Sequence, residues 1–305
     1  MLDAHQLNVF LIAAEPLNFT QAAQRMNMSQ PSVSQHIQAL ERHFNTSLFL
    51  RAGRTLQLTD AGLVLVPMAR DLVSQSILIE ETMESLQGEI FGHLMVGCST
   101  TPGKYVLPHL LAQFHNEHPK VRVTCLVSPQ AQAINMLCEG KTHFALASFA
   151  HKSCMDAEFV DFMCDPVVLI TPLNHPWAQK GSIEIEELYD ENFILREEDS
   201  GTYRTVRDAL RNTSVRIERL KTLLTLGNSE AIALSVQEGL GVGFVSQAVA
   251  TGVGRDHVAI VKINGLDICR EIYIGRHTRL PSTKAQNAFW DFVTSIDIPK
   301  MGTIF

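Results

Sequence analysis

The hydrophobic pattern changes character at Gly88, and that change limits the chain to a helical head joined to an α/β body. Before it, apolar residues recur every three or four positions, as in Leu7, Phe10, Leu11 and Ala14, then Val33, Ile37, Leu40 and Phe44. After it, strand-like runs at 93–98, 121–127, 143–148, 167–171, 192–196, 241–246, 257–263 and 271–276 alternate with helical stretches. Those stretches are 102–117, 129–139, 202–212, 229–239 and 283–296. Such alternation predicts an α/β fold with largely parallel sheets. Residues 89–305 are generous for one such domain, so two lobes are expected. The crossings between them are placed near 160–170 and 265–270.

Composition narrows the class. The chain has 305 residues, 46% of them hydrophobic and 19% charged, as in globular proteins of two or three domains. Without a run of about 18 apolar residues, no membrane-crossing helix is expected. The N-terminal MLDAHQLNVF lacks the basic start of a signal peptide, which predicts a cytoplasmic protein and argues against a periplasmic solute-binding role. Six cysteines at 98, 125, 138, 154, 164 and 269 form no CxxC pair, which fits free thiols in a reducing compartment. A sensing disulfide between Cys154 and Cys164 is the alternative reading.

The most informative stretch is FTQAAQRMNMSQPSVSQHIQALE, residues 19–41. Thr20 is placed as the cap of a short helix over Gln21 to Arg25, and Ser29 as the cap of the next, with Pro31 in its first turn. Ala22 and Ala23 are small enough to let two helices approach closely, while Met26, Val33, Ile37 and Leu40 pin their crossing. That is the physics of a helix-turn-helix. It leaves Ser29, Gln30, Ser32, Ser34, Gln35, His36 and Gln38 to face a major groove, where glutamine can pair bidentately with adenine. Residues 47–58 form two extended runs around Gly53, a β-wing whose Arg51 and Arg54 suit phosphates. The rival reading makes the same polar residues a solvated helix face. Charge does not decide between them. The first 58 residues hold four arginines against three acids, and the whole chain carries −7.

From Thr59 a helix is expected to run to about Gly88. Leu65, Ala69, Leu72, Ser76, Ile79, Met83 and Leu86 are spaced as a heptad seam, which predicts pairing with a second copy. Packing on its own domain would produce a similar stripe.

The stretch Leu7 to Gly62 resembles the winged helix-turn-helix of LysR-type transcriptional regulators. The resemblance is carried by L-x-x-F at Leu7 to Phe10, NFTQAAQRM, SQPSVSQHIQALE, SLFLRAGRTLQLT and DAG. It extends over essentially the whole chain. It implies a mainly α DNA-binding domain at 1–58, a linker helix at 59–88, and a two-lobed α/β effector domain of periplasmic-binding-protein type at 89–305. The lobes fall at about 89–162 with 268–305, and at 163–267. It also implies double-stranded DNA as a partner, a homodimer, and the tetramers common in the family. Where family members often carry Arg or Lys near Gln35 and Gln38, this chain has glutamine, so nonspecific DNA binding is expected to be weak and shallow in salt. GKYVLP and LGNSEAI resemble the family branch that controls carbon fixation, without naming an effector.

In open α/β sheets, ligands bind beyond the carboxyl ends of strands. Four such ends carry hydroxyls or small polar groups here: Ser99-Thr100-Thr101 before Pro102, Ser148, Ser200 with Thr202, and Asn228-Ser229. Thr101 is placed as the cap of a helix whose free N–H groups, with Lys104, favour an anion. Arg204 sits in the first turn of the helix opened by Ser200. Each could be an ordinary helix cap. The resemblance implies that Thr100, Thr101, Ser148 and Thr202 border the cleft between lobes, and a small anionic effector is expected there. No GxSxG, P-loop or HExxH pattern argues for an enzyme, and no cofactor is implied. His115 and His118 could ligate a metal, but a solvated helix end accounts for them as well.

Overall fold

The computed structural model describes residues 1–52, 55–87, 89–148, 156–279 and 281–296. Two compact units emerge, one of Met1–Phe91 with Leu280–Lys284, the other of Gly92–Arg279 with Ala285–Phe305.

The first unit holds α1 (Ala4–Ala14), α2 (Phe19–Arg25), α3 (Gln30–Phe44), the hairpin β1 (Phe49–Ala52) and β2 (Thr55–Leu58), and α4 (Asp60–Glu84). Its core gathers Leu7, Phe10, Ala13, Ala22, Val33, Ile37, Leu40, Leu48 and Phe49. Ser29 caps α3 by accepting the Ser32 N–H, and Asn45 closes it in the left-handed region at φ 50°. The cap of α2 differs from expectation. Asn18, not Thr20, accepts the N–H groups of Thr20 and Gln21, and Thr20 lies exposed within the helix. Glu41 on α3 accepts the Leu48 and Phe49 N–H groups, which fixes the hairpin to the helix.

Thr59 caps α4. The seam divides along its length. Ala69 is buried on the winged core with Leu65 beside it, whereas Ile79, Met83 and Leu86 are 62–67% exposed. Among the described residues α4 is also the one helix long and apolar enough to span a membrane by length and composition, with mean hydropathy 1.4 over 18 residues. That corrects the expectation of none. Its outer apolar residues fit a helix-pairing seam equally well.

The second unit adds, in chain order, β3 (Gly92–Cys98), α5 (Leu107–Glu117), β4 (Val121–Val127), α6 (Gln130–Cys138), β5 (Phe144–Ala147), β6 (Ala157–Pro172), α7 (Pro176–Lys180) and β7 (Ser182–Ile183). There follow β8 (Asn192–Leu195), α8 (Gly201–Leu210), β9 (Lys221–Thr225), α9 (Ser229–Gln237), β10 (Val242–Ser246), α10 (Gln247–Thr251), β11 (Val258–Ile263), β12 (Cys269–His277) and α11 (Lys284–Ser295). Strand order is β4-β3-β5-β12-β6-β10-β8-β9, with β11 beside β6. Two parallel groups, β4-β3-β5 and β10-β8-β9, make two lobes. The antiparallel pair β6 and β12 joins them. The second lobe buries Trp177, Phe193, Val206 and Phe244 on one face and Ile170, Ile194, Ile232 and Val245 on the other. In the first, Phe289 of α11 packs edge-on against Phe114, with ring centroids 5.1 Å apart.

The structure revises the cysteine expectation. Cys164 is disulfide-bonded to Cys269, rather than free or paired with Cys154, which lies outside the described residues; Cys98 and Cys125 are free.

Candidate effector cleft and nucleic-acid interface

The helix-turn-helix presents α3 with its apolar side inward and its polar side outward. Gln35 and Gln38 are exposed, while Ser32, Ser34 and His36 are half-buried. Gln30 donates to Ser34 at 2.8 Å, and Ser29 is committed to its capping bond. Gln35 and Gln38 are therefore the long side chains free to reach a base edge. The Arg51 side chain and Arg54 lie outside the described residues.

The second unit contains a cleft of about 290 Å³, lined by Ser99, Thr100, Thr101, Ser128, Gln130, Arg196, Asp199, Ser200, Gly201, Arg204 and Arg270 among others. Of the residues expected there, Ser99, Thr100, Thr101 and Ser200 face the cleft. Ser148, Thr202 and Ser229 stand one step behind, each bonded to a lining residue. Ser148 donates from N and Oγ to Gln130. Thr202 accepts from Arg270 at 3.0 Å, and Ser229 from Arg196 at 2.9 Å. Asn228 caps α9 without lining the cleft. Thr101 does not act as a cap. It is helical itself and buried, because the helix begins at Thr100 and widens into a π turn over Pro102–Val106.

Gln130, Arg196 and Arg270 were missed by sequence reasoning, and they give the cleft its chemistry. Gln130 and Arg270 are 8% and 4% exposed, yet Gln130 Nε2 and Arg270 Nε have no hydrogen-bond partner. Buried donors left unpaired are costly. Beside them α8 begins, capped by Ser200, with its first N–H groups at the cleft. Gly201 allows this approach, since a Cβ there would fall 2.2 Å from Ser148 Oγ. Arg196 is forked onto Glu197 at 2.6 and 2.7 Å. Burial pushes the Glu197 carboxyl up, but the Arg196 bonds outweigh it and hold the carboxyl below its usual range.

A latch spans the lobes beside this cleft. Lys104 and Tyr105, which precede α5, bond Glu230 at the start of α9 at 2.5 and 2.8 Å. The Lys104 bond holds the Glu230 carboxyl below the usual range, against its partial burial. The latch is therefore intact at neutral pH and is lost only as pH falls through that depressed value. Glu230→Ala is expected to speed amide exchange in the first turns of α9 and over 102–106 by about three- to tenfold, the worth of one exposed ion pair and one hydrogen bond. Exchange unchanged from wild type would show that the lobes are held without it.

Among the described residues, the side chains grouped to hold a metal are Cys164, Cys269 and Glu271, not His115 and His118. The disulfide occupies both sulfurs, so this group offers no thiolate ligand as it stands.

Residues 4–63 match the model of the bacterial regulatory helix-turn-helix protein, lysR family, and residues 87–296 match that of the LysR substrate binding domain. An uncharacterized HTH-type transcriptional regulator of Methanocaldococcus jannaschii is 31% identical over 291 residues, which span 94% of this chain and 97% of that one. A probable RuBisCO transcriptional regulator of Trichormus variabilis is 31% identical over 93% of this chain and 85% of its own. Among solved structures, the CcmR regulatory domain of Synechocystis PCC6803 in complex with 2-PG superposes with a TM-score of 0.61 at 27% identity. It covers 68% of this chain and 99% of that one.

Proposed function

Because the chain belongs to the LysR family of transcriptional regulators, which bind DNA and small effectors and are not enzymes, we propose that it couples operator binding to a small anionic metabolite held between its lobes. The observation that carries the anionic reading is that Gln130 and Arg270, each with an unpaired side-chain donor, line one cleft together with the start of α8. All three offer donors, and a helix N-terminus favours negative charge. The complex of the Synechocystis relative with 2-PG is in keeping with this chemistry. Hydroxyls of Ser99, Thr100, Thr101 and Ser200 supply further bonds around the ligand.

The labour divides as the sequence suggests. Residues 1–58 contact DNA through α3, 59–88 pair protomers through the outer apolar face of α4, and 89–305 bind the effector. The exposed Ile79, Met83 and Leu86 support a homodimer, and further association makes a homotetramer. The site of action is the cytoplasm, with the DNA. A two-fold dimer calls for a roughly palindromic operator with half-sites whole helical turns apart. Ligand closure shifts DNA affinity only to the extent that the ligand prefers one protomer arrangement.

Calorimetric titration of the full chain with small phosphoesters and carboxylates, beside neutral polyols and amines, tests the reading. Anions are expected to bind, and Gln130→Leu to weaken them about tenfold, the worth of one hydrogen bond to a charged group. Binding confined to neutral or cationic compounds would overturn it.

A further inference from the structure

We infer that Cys164 and Cys269 form a reversible dithiol–disulfide site that sets the stiffness of the joint between the two lobes. The argument begins with register. On the antiparallel pair β6 and β12, Cys164 lies opposite Glu271, Asp165 opposite Arg270, and Pro166 opposite Cys269. Side chains alternate across a sheet, so the two cysteines share one face, and Asp165 and Arg270 share the other. The first face carries the covalent bond, between Cα atoms 5.7 Å apart and 105 residues distant in sequence. The second carries a buried ion pair whose Arg270 forms part of the effector cleft.

The position matters as much as the pairing. β6 is paired with β12 as far as Pro166, then from Val167 onward with β10 and β11. Cys269 is the first residue of β12. The bond therefore closes the last step of pairing before β6 passes from one lobe into the other, where any opening or closing of the lobes must bend the chain. With the bond made, the two strands cannot part there. With it broken, ladder hydrogen bonds and the Asp165–Arg270 ion pair on the other face hold them without a covalent tie.

Both cysteines are half-buried and border an open depression of about 800 Å³, also lined by Gln247, Lys262 and Leu266. Small thiols can reach them. Cys269 Sγ lies 3.6 Å from a Glu271 carboxylate oxygen. The oxidant is a low-molecular-weight disulfide, which reacts by thiol–disulfide exchange. One protein thiolate attacks that disulfide and releases one small thiol; the second cysteine then displaces the other small thiol from the mixed disulfide. Two electrons and two protons pass from the protein pair to the reagent. This inference does not depend on what occupies the cleft.

The test uses the full-length protein equilibrated with oxidised or reduced glutathione, alkylated, and digested without reductant. Oxidised glutathione is expected to give a linked peptide pair holding Cys164 and Cys269, which reduced glutathione removes and which Cys164→Ser lacks. Cys125→Ser, a change at a free cysteine, keeps it. Amide exchange over 164–172 and 268–272 should be at least about tenfold slower in the oxidised wild type and insensitive to glutathione in Cys164→Ser. The thermal midpoint of the oxidised form should exceed that of the reduced form by roughly 5–15 °C. Both cysteines fully alkylated after oxidised glutathione, or exchange at the joint identical in the two states, would overturn the inference.

Discussion

Asp165→Ala lowers the stability of the effector-binding domain by about 3–5 kcal/mol, because it strands a buried cation. Asp165 and Arg270 are 1% and 4% exposed. The guanidinium donates to one oxygen of Asp165 and to Thr202 Oγ1, while Ser246 Oγ donates to the other Asp165 oxygen at 2.6 Å. Without the carboxylate, Arg270 keeps the cost of leaving water and loses the attraction that offsets it. Thr202 remains as its partner, a neutral one. Asp165→Leu with Arg270→Met is expected to recover most of the loss, since two apolar residues of similar bulk avoid the desolvation cost altogether. Trp177 and Trp290 are the two tryptophans of the chain, and both belong to the effector-binding unit. Urea unfolding followed by tryptophan fluorescence therefore reports on this domain alone. A loss below about 1 kcal/mol would mean that water reaches the pair and screens it. Arg270 also lines the cleft, so the single variant should bind effector poorly even where it remains folded.

Elements whose partners lie close in sequence are the ones legible without a structure. The cap at Ser29, the start of α4 after Thr59, the hairpin, and the apolar face of α3 follow from local rules, and they stand where those rules put them. Local rules fail where tertiary contact chooses between two acceptable caps. Asn18 and Thr20 could each cap α2. Taking Asn18 brings Phe19 into the helix, where its ring meets Phe49 edge-on at 5.1 Å. The strand β6 shows why only its second half, VVLIT, could be foreseen. Glu158, Asp161 and Asp165 break the apolar run of its first half, and the arginines that pair with Glu158 and Asp165 sit on β12 more than a hundred residues later. β9 is wholly exposed, so it offers no alternation to detect. The cleft follows the same logic. Hydroxyls at strand ends announce themselves, whereas Gln130 follows a proline with no cap signal and Arg270 sits inside a strand. What singles these two out is a donor left unpaired in the interior, and only packing can reveal that.

Gln35→Ala with Gln38→Ala is expected to weaken operator binding by roughly 30-fold to 10⁴-fold, while leaving binding to scrambled duplex within about twofold. Each bidentate glutamine–adenine pair is worth about 1–3 kcal/mol of discrimination, and each 1.4 kcal/mol is a factor of ten. The two side chains are exposed on α3, whereas Val33, Ile37 and Leu40 hold that helix from its other face. Alanine is at least as good a helix former as glutamine, so the domain should fold unchanged. Neither glutamine is charged, so the counterions released on binding, and with them the slope of affinity against salt, should not change. That slope should be shallow in the wild type as well, because four arginines among the first 58 residues are nearly balanced by three acids. Fluorescence anisotropy on operator and scrambled duplexes, at several salt concentrations, separates the two effects. An equal loss on both duplexes would assign the glutamines to phosphate contact. No loss on either would remove α3 from the major groove.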